Sequence, residues 1–102
     1  MTLNHYPIDQ FKADILNIAK KYFNLSTTKL FVFGSRASGK GDDRSDIDLG
    51  IESDPPIDSQ NFQNFKDELD NLNTLYTIDT VDFNQVSEIF KKVASENKIY
   101  LN

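Results

Sequence analysis

Two aspartates, Asp46 and Asp48, stand two positions apart in a run that alternates with Ile47, Leu49 and Ile51. Alternation at period two makes a strand with one apolar face and one acidic face. Both carboxylates then leave the same face, roughly 7 Å apart along the strand at ~3.4 Å per residue. Two like charges this close repel, and hard oxygen ligands select Mg²⁺ or Mn²⁺ as the remedy. Taken alone, an Asp-x-Asp is more ordinarily a surface strand with solvated acids. The stretch ahead of it shifts that balance. Lys29-Leu-Phe-Val-Phe33 is a short apolar run that ends at Gly34-Ser35. Glycine tolerates a turn other residues cannot make and lets a phosphate approach the main chain. The Ser35 hydroxyl, nearby amides and the dipole of a short helical turn at Ala37 are donors for phosphate oxygens. One loop thus offers phosphate donors and, farther on, a metal pair, which together suit a phosphate-chelated cation.

Two rival motifs fail. Gly34-Ser-Arg-Ala-Ser-Gly39-Lys40 matches the P-loop string, but position 41 is Gly where Ser or Thr must reach the metal, and Gly41-Asp42-Asp43 is a poor helix start. An EF-hand loop lacks its acid at Arg44, and the segment is too apolar for a loop.

The elements that must position these residues follow from spacing. Ile8, Phe11, Ile15, Ile18, Ala19 and Tyr22 predict a helix over about 8–23, with Pro7 and Asp9 suited to its first turn. Residues 24–29 connect it to a buried strand over 29–33. Residues 34–43 form a tight loop or one short helical turn, and 46–52 the acid-bearing strand. Phe62, Phe65, Leu69 and Leu72 predict a helix over 58–73, its apolar stripe a core face by default. A third strand spans 76–83. Val86, Ile89, Phe90 and Val93 mark a last helix with Asn84 as its N-cap. The start, Met1 to Tyr6, is expected to be loose. The apolar tail Ile99-Tyr100-Leu101 either closes the sheet or belongs to a partner-binding surface. The order α-β-β-α-β-α gives an α/β (α+β) fold: a small sheet with helices packed on one face, the other free to hold a site.

Composition narrows the classes. The 102 residues suit a single domain over 1–102. With Lys+Arg 11 against Asp+Glu 16 the net charge is −5, so nucleic acid is disfavoured as the main partner. The absence of Cys excludes a disulfide framework, a thiolate zinc site and a Cys nucleophile. The single His5, read as an exposed terminal residue, cannot make a His-rich metal site or a triad. No apolar run approaches the ~18 residues of a membrane span, and no export signal opens the chain, so a cytoplasmic location is expected.

Gly34-Ser35, ten residues, then Asp46-x-Asp48 resembles the signature of the DNA polymerase β-like nucleotidyltransferases. The fuller string Phe-Gly-Ser-Arg-Ala…Ser-Asp-Ile-Asp-Leu resembles their smallest members, the minimal nucleotidyltransferases (MNT), which often serve as antitoxins of HEPN-domain toxins. Residue-level likeness is confined to 31–51 and 76–83. The resemblance implies a small mixed sheet and a third carboxylate on the later strand Tyr76-Thr-Ile-Asp-Thr-Val-Asp-Phe83. Asp79 and Asp82 differ by three and point to opposite faces, and alternation leaves both open. The family pattern favours Asp79 and leaves Asp82 as a strand-end or cap residue.

The implied activity is Mg²⁺-dependent transfer of a nucleoside monophosphate, AMP from ATP, to a Tyr, Ser or Thr hydroxyl of a HEPN partner. Asp46 and Asp48 would bridge two metal ions and Asp79 would complete one of them, while Gly34, Ser35 and Arg36 bind nucleotide. Arg36 suits phosphate geometry and equally a salt bridge to Asp42, Asp43 or Glu52. Lys40 and Arg44 read as solvated loop charges or as lining for the nucleotide, Ser38 has no assigned role, and Ser45 is a hydrogen bonder at the strand start. The alternative from another class is a non-catalytic antitoxin that neutralises its partner by binding. Base specificity and oligomeric state are not encoded visibly.

Overall fold

A computed structural model describes residues 3–39, 46–72 and 74–102. Lys40, Arg44, Ser45, Asp42 and Asp43 lie outside these. The elements run α1 (Ile8–Ala19), β1 (Thr28–Phe33), α2 (Gly34–Ser38), β2 (Ile47–Ser53), α3 (Ser59–Asp70), β3 (Ile78–Asp82), α4 (Glu88–Ala94) and β4 (Ile99–Tyr100). The sheet order is β3-β2-β1-β4, with β1 antiparallel to β2 and β4, and β2 parallel to β3. It is the small mixed α+β sheet the sequence predicts. A parallel β2–β3 pair requires a crossover, and α3 supplies it.

Strand alternation sorts the sheet into two faces. Leu30, Val32, Ile47, Leu49, Ile51 and Ile78 join Phe11, Ile15 and Ala19 of α1 and Phe65 and Leu69 of α3 in the main core. Each fully buried Leu, Ile, Val or Phe among them contributes roughly 1.5–3 kcal/mol. The other face carries Phe31, Phe33 and Phe83. Gly50 lies between these rings, and a Cβ there would run into both Phe31 and Phe83. Its absence lets the two rings meet edge to face at 4.7 Å. α4 leans on this second face through Phe90, 6.0 Å from Phe33 and 5.6 Å from Phe83. α1 and α3 thus cover one face fully, and α4 covers part of the other.

Several boundaries depart from the spacing. α1 stops at Ala19, because the chain then tightens into turns that send Phe23 against Phe65 at 5.2 Å and Tyr22 to Glu68 at 2.5 Å. Met1 and Thr2 lie outside the described residues, and from Leu3 on the start is not loose: Leu3 and Tyr6 are buried in the main core, and the His5 N–H donates to Tyr76 Oη at 3.1 Å. Asn84 does not cap α4. Its carboxamide accepts from Ser53 N–H at 3.0 Å and donates to Ser53 O at 2.9 Å, extending the ladder past β3 as a backbone would. Ser87 caps α4 instead, accepting from Phe90 N–H, and Asp58 caps α3. The apolar tail closes the sheet as β4, with Leu101 buried, and Asn102 repeats the carboxamide device on Leu30 and Thr28. No described helix is long and apolar enough to cross a membrane.

Leu49 is fully buried in the main core, the cluster that also holds the apolar side chains of α1 and α3. Leu49→Ala is expected to lower the unfolding free energy by about 2–5 kcal/mol, read from a urea titration.

Candidate functional site

β2 is central and carries apolar side chains on its core face, so its even positions must face the other way. Asp48 is half-buried there, with Phe33 opposite it in β1 and Asp79 opposite it in β3. A single line across the sheet therefore reads Phe33, Asp48, Asp79. Asp46 precedes β2 by one residue and is exposed, as is Asp79.

Asp82 takes the other parity. It lies in register with Ile51, and its Oδ1 accepts from Asn84 N–H at 2.9 Å, the strand-end role that was its alternative reading. Register, which alternation could not supply, puts Asp79 and not Asp82 beside Asp48.

The turn sits against these acids. Gly34 has φ +75°, a left-handed value that favours glycine, and a Cβ at this position would collide with Asp48 Oδ2. The backbone angle favours glycine here, and any Cβ would also force the Asp48 carboxylate out of its place. Ser35 is exposed at the start of α2, and Gly39, also left-handed, ends that helix. Arg36 is placed differently from its neighbours. It is 4% exposed, and its guanidinium lies 5.0 Å from the centre of the Tyr76 ring, on the side of the main core. Its aromatic partner braces the turn from below. Glu52, one expected partner of Arg36, pairs with Lys91 at 3.5 Å.

The electrostatics agree with the geometry. Burial holds the Asp48 carboxyl above the ordinary carboxylate value, and the charges of Asp79 and then Asp46 push it further the same way. All three acids therefore act on one region. Among the described residues, no group of three or more acidic or His side chains is already gathered closely enough to hold a metal ion. The donor set nonetheless fits a hard divalent cation: every candidate ligand is a carboxylate oxygen, and the repulsion on Asp48 is what such a cation relieves.

Sequence spacing missed one feature. A cleft of about 320 Å³ opens beside the turn, lined by Phe33, Gly34 and Ser38 on one side and by Phe90, Val93, Ala94, Glu96 and Asn97 on the other. The apolar spacing of the last helix implied a buried face. Instead α4 has no buried residue, and Ile89 and Val93 stand 78% and 62% exposed.

Residues 13–102 match the family model described as polymerase beta, nucleotidyltransferase. No curated protein is similar enough to match the chain. Among solved structures, a toxin–antitoxin with AMP-PNP is similar at TM-score 0.63 and 19% identity, covering 89% of this chain and 72% of that one. A double Asp-to-Glu mutant of the toxin–antitoxin MntA–HpeT gives TM-score 0.68 at 15% identity, covering 89% and 71%. A tri-AMPylated Shewanella oneidensis HEPN toxin in complex with MNT antitoxin gives 0.58 at 17%, covering 89% and 68%. At these identities the likeness is one of fold.

The raised Asp48 carboxyl has a stability consequence with a definite sign. The folded chain keeps a proton on Asp48 where the unfolded chain has lost it, so stability falls as pH rises through that range and the loss persists at neutral pH. Asp48→Asn removes it. Calorimetry at pH 7 in the absence of divalent cations is expected to show Asp48→Asn melting a few degrees above the wild type. The gain should vanish below the ordinary carboxyl value of 3.8.

Proposed function

The chain belongs to the polymerase beta nucleotidyltransferase family, and on that premise we propose that it transfers AMP from ATP to a hydroxyl group of a HEPN-domain partner, as that toxin's antitoxin in the cytoplasm. The observation that carries the reading is Asp48 and Asp79 in register beside the Gly34 turn. Two structurally similar proteins support the substrate and partner: one was crystallised with AMP-PNP, and another is an MNT antitoxin with an AMPylated HEPN toxin.

Asp46, Asp48 and Asp79 would hold Mg²⁺ through their carboxylate oxygens, and Mn²⁺ suits the same ligands. Bound there, the cation supplies charge neutralisation at the phosphates and a lowered pKa for the acceptor hydroxyl. The chain's own part is placement. The Gly34 turn brings its main chain close to the phosphates, and the Ser35 hydroxyl and amide donate to their oxygens. Half-burial of Asp48 beside Phe33 strengthens its electrostatic pull on whatever cation it meets. Arg36 keeps a nucleotide-binding role by bracing the turn and adding its fixed positive charge from beneath. The acceptor oxygen attacks the α-phosphorus in line, the bond to the bridging oxygen breaks, and pyrophosphate leaves. No histidine is required, in keeping with His5 standing apart with Tyr76.

The second reading is contact without catalysis. The exposed Ile89 and Val93 on α4 favour it, as apolar side chains suited to a partner surface. Incubation with the HEPN partner, Mg²⁺ and α-labelled ATP separates the two. Transfer predicts label on the partner, and Asp46→Asn should reduce that label roughly 10²-fold or more while the melting curve stays cooperative. A tight complex without label, with neutralisation unaffected by Asp48→Ala, would instead establish the binder.

A further inference from the structure

Asp79 ends the line that Phe33 and Asp48 begin across the sheet, and no described strand lies beyond β3. Thr77 O accepts from Ile47 N–H, and Phe83 N–H donates to Ile51 O. In a parallel ladder the odd-numbered residues of this strand therefore bond β2, and the main-chain groups of Ile78 and Thr80 face away from it. The geometry points to this edge as the dock for the acceptor. An extended segment of the acceptor protein pairs with β3 as a fifth strand and sets its hydroxyl beside Asp79. The inference rests on the nucleotidyl-transfer reading and deepens it. The bond changes are those of that transfer, with the hydroxyl proton released to water.

Three observations converge. First, Thr80 is 6% exposed, and its Oγ1 is buried without a hydrogen-bond partner among the described residues. A buried hydroxyl left unpaired is costly. Elsewhere in the same sheet Thr28 and Ser53 face each other across β1 and β2, their hydroxyls 3.0 Å apart. Thr80 is one half of such a pair on the strand that lacks a neighbour. Second, a groove of about 570 Å³ runs beside this edge, lined by Thr80 and Asp82 of β3 and by Ile57, Phe62 and Val86. Added strands dock on exposed edges in this way, main chain to main chain, with alternate side chains in pockets. Third, register fixes the chemistry of the occupant. The residue opposite Asp79 lies on the acid face with its Cβ about 4.5–5.5 Å away, so a hydroxyl there reaches the carboxylate. Its neighbour, opposite Thr80, enters the groove, where a threonine supplies the missing hydroxyl and turns its methyl to Phe62 and Val86. The residue opposite Asp82 shares that face, and lysine or arginine there meets a carboxylate. A second copy of the chain would instead bring two more acids to an edge of a molecule with net charge −5.

A synthetic peptide of about ten residues tests the dock. It carries a central serine, a threonine on each side of it, and lysine three positions away in both directions. On adding it to the full chain with Mg²⁺ and α-labelled ATP, amide exchange at Ile78 and Thr80 should slow at least about tenfold. Mass spectrometry should find the label on the serine. Replacing the peptide's threonines with valine should weaken binding about tenfold, and Thr80→Val should abolish that preference. Thr80→Val should also melt no lower than the wild type, because an unpaired hydroxyl is gone. Asp82→Asn, which keeps an acceptor for Asn84 N–H, should erase the preference for lysine over glutamate at the outer positions. Unchanged exchange at Ile78 and Thr80 under saturating peptide overturns the dock, and label on the HEPN partner then leaves nucleotidyl transfer standing. Protection that rises with protein concentration in the absence of peptide assigns the edge to a second copy and overturns it equally. Protection without label on the peptide overturns the acceptor role. A partner labelled in the same assay then leaves transfer standing, and an unlabelled one overturns transfer as well.

Discussion

The parallel register of β2 on β3 is the constraint from which core and site both follow. It sets Leu49 beside Thr80 on one face and Asp48 beside Asp79 on the other. Because side chains alternate with period two, a slip of one residue would send Asp48 into the cluster of Leu30, Val32 and Ile78 and expose Ile47 and Leu49. An unpaired carboxylate in that cluster would cost several kcal/mol. The apolar packing of α1 and α3 therefore holds the acids together against their own repulsion, with many buried side chains set against one strained group.

The two faces divide the work. The α1/α3 face is dense, and its aromatic and aliphatic residues interlock around Phe11, Ile15 and Phe65. The opposite face has an aromatic floor made by Phe31, Phe33 and Phe83, on which the Lys98 ammonium rests 4.3 Å above the Phe31 ring. α4 touches this floor through Phe90 and the Lys91–Glu52 pair, and buries none of its side chains fully. Few contacts hold it, so the helix side of the cleft is the more easily displaced of its two walls.

Much of this was legible in the chain. Alternation around Asp46 and Asp48 exposed the acidic face, and the glycine-serine turn could be read as its neighbour. What was illegible has a common cause: partners distant in sequence. Asp79 could not be told from Asp82 because both faces of the sheet are partly covered, so both parities of β3 carry apolar residues, and register decides. The stacking of Arg36 on Tyr76 was illegible because it joins two segments that no local pattern links. Asn84 precedes an apolar run and so resembled a cap, whereas its carboxamide completes the β2 ladder. β4 is two residues long, too short for any period to show. The cleft escaped notice for the same reason, being a gap between elements and not a motif in either.

Gly34 joins what would otherwise be two adjustable parts. Its bare Cα leaves room for the Asp48 carboxylate, which any side chain there would push aside. Anion cradle and cation grip are therefore tuned as one object. Any substitution that lifts the turn also frees the acid to swivel, and freedom to diversify is left to the α4 side of the cleft, where a changed side chain disturbs neither.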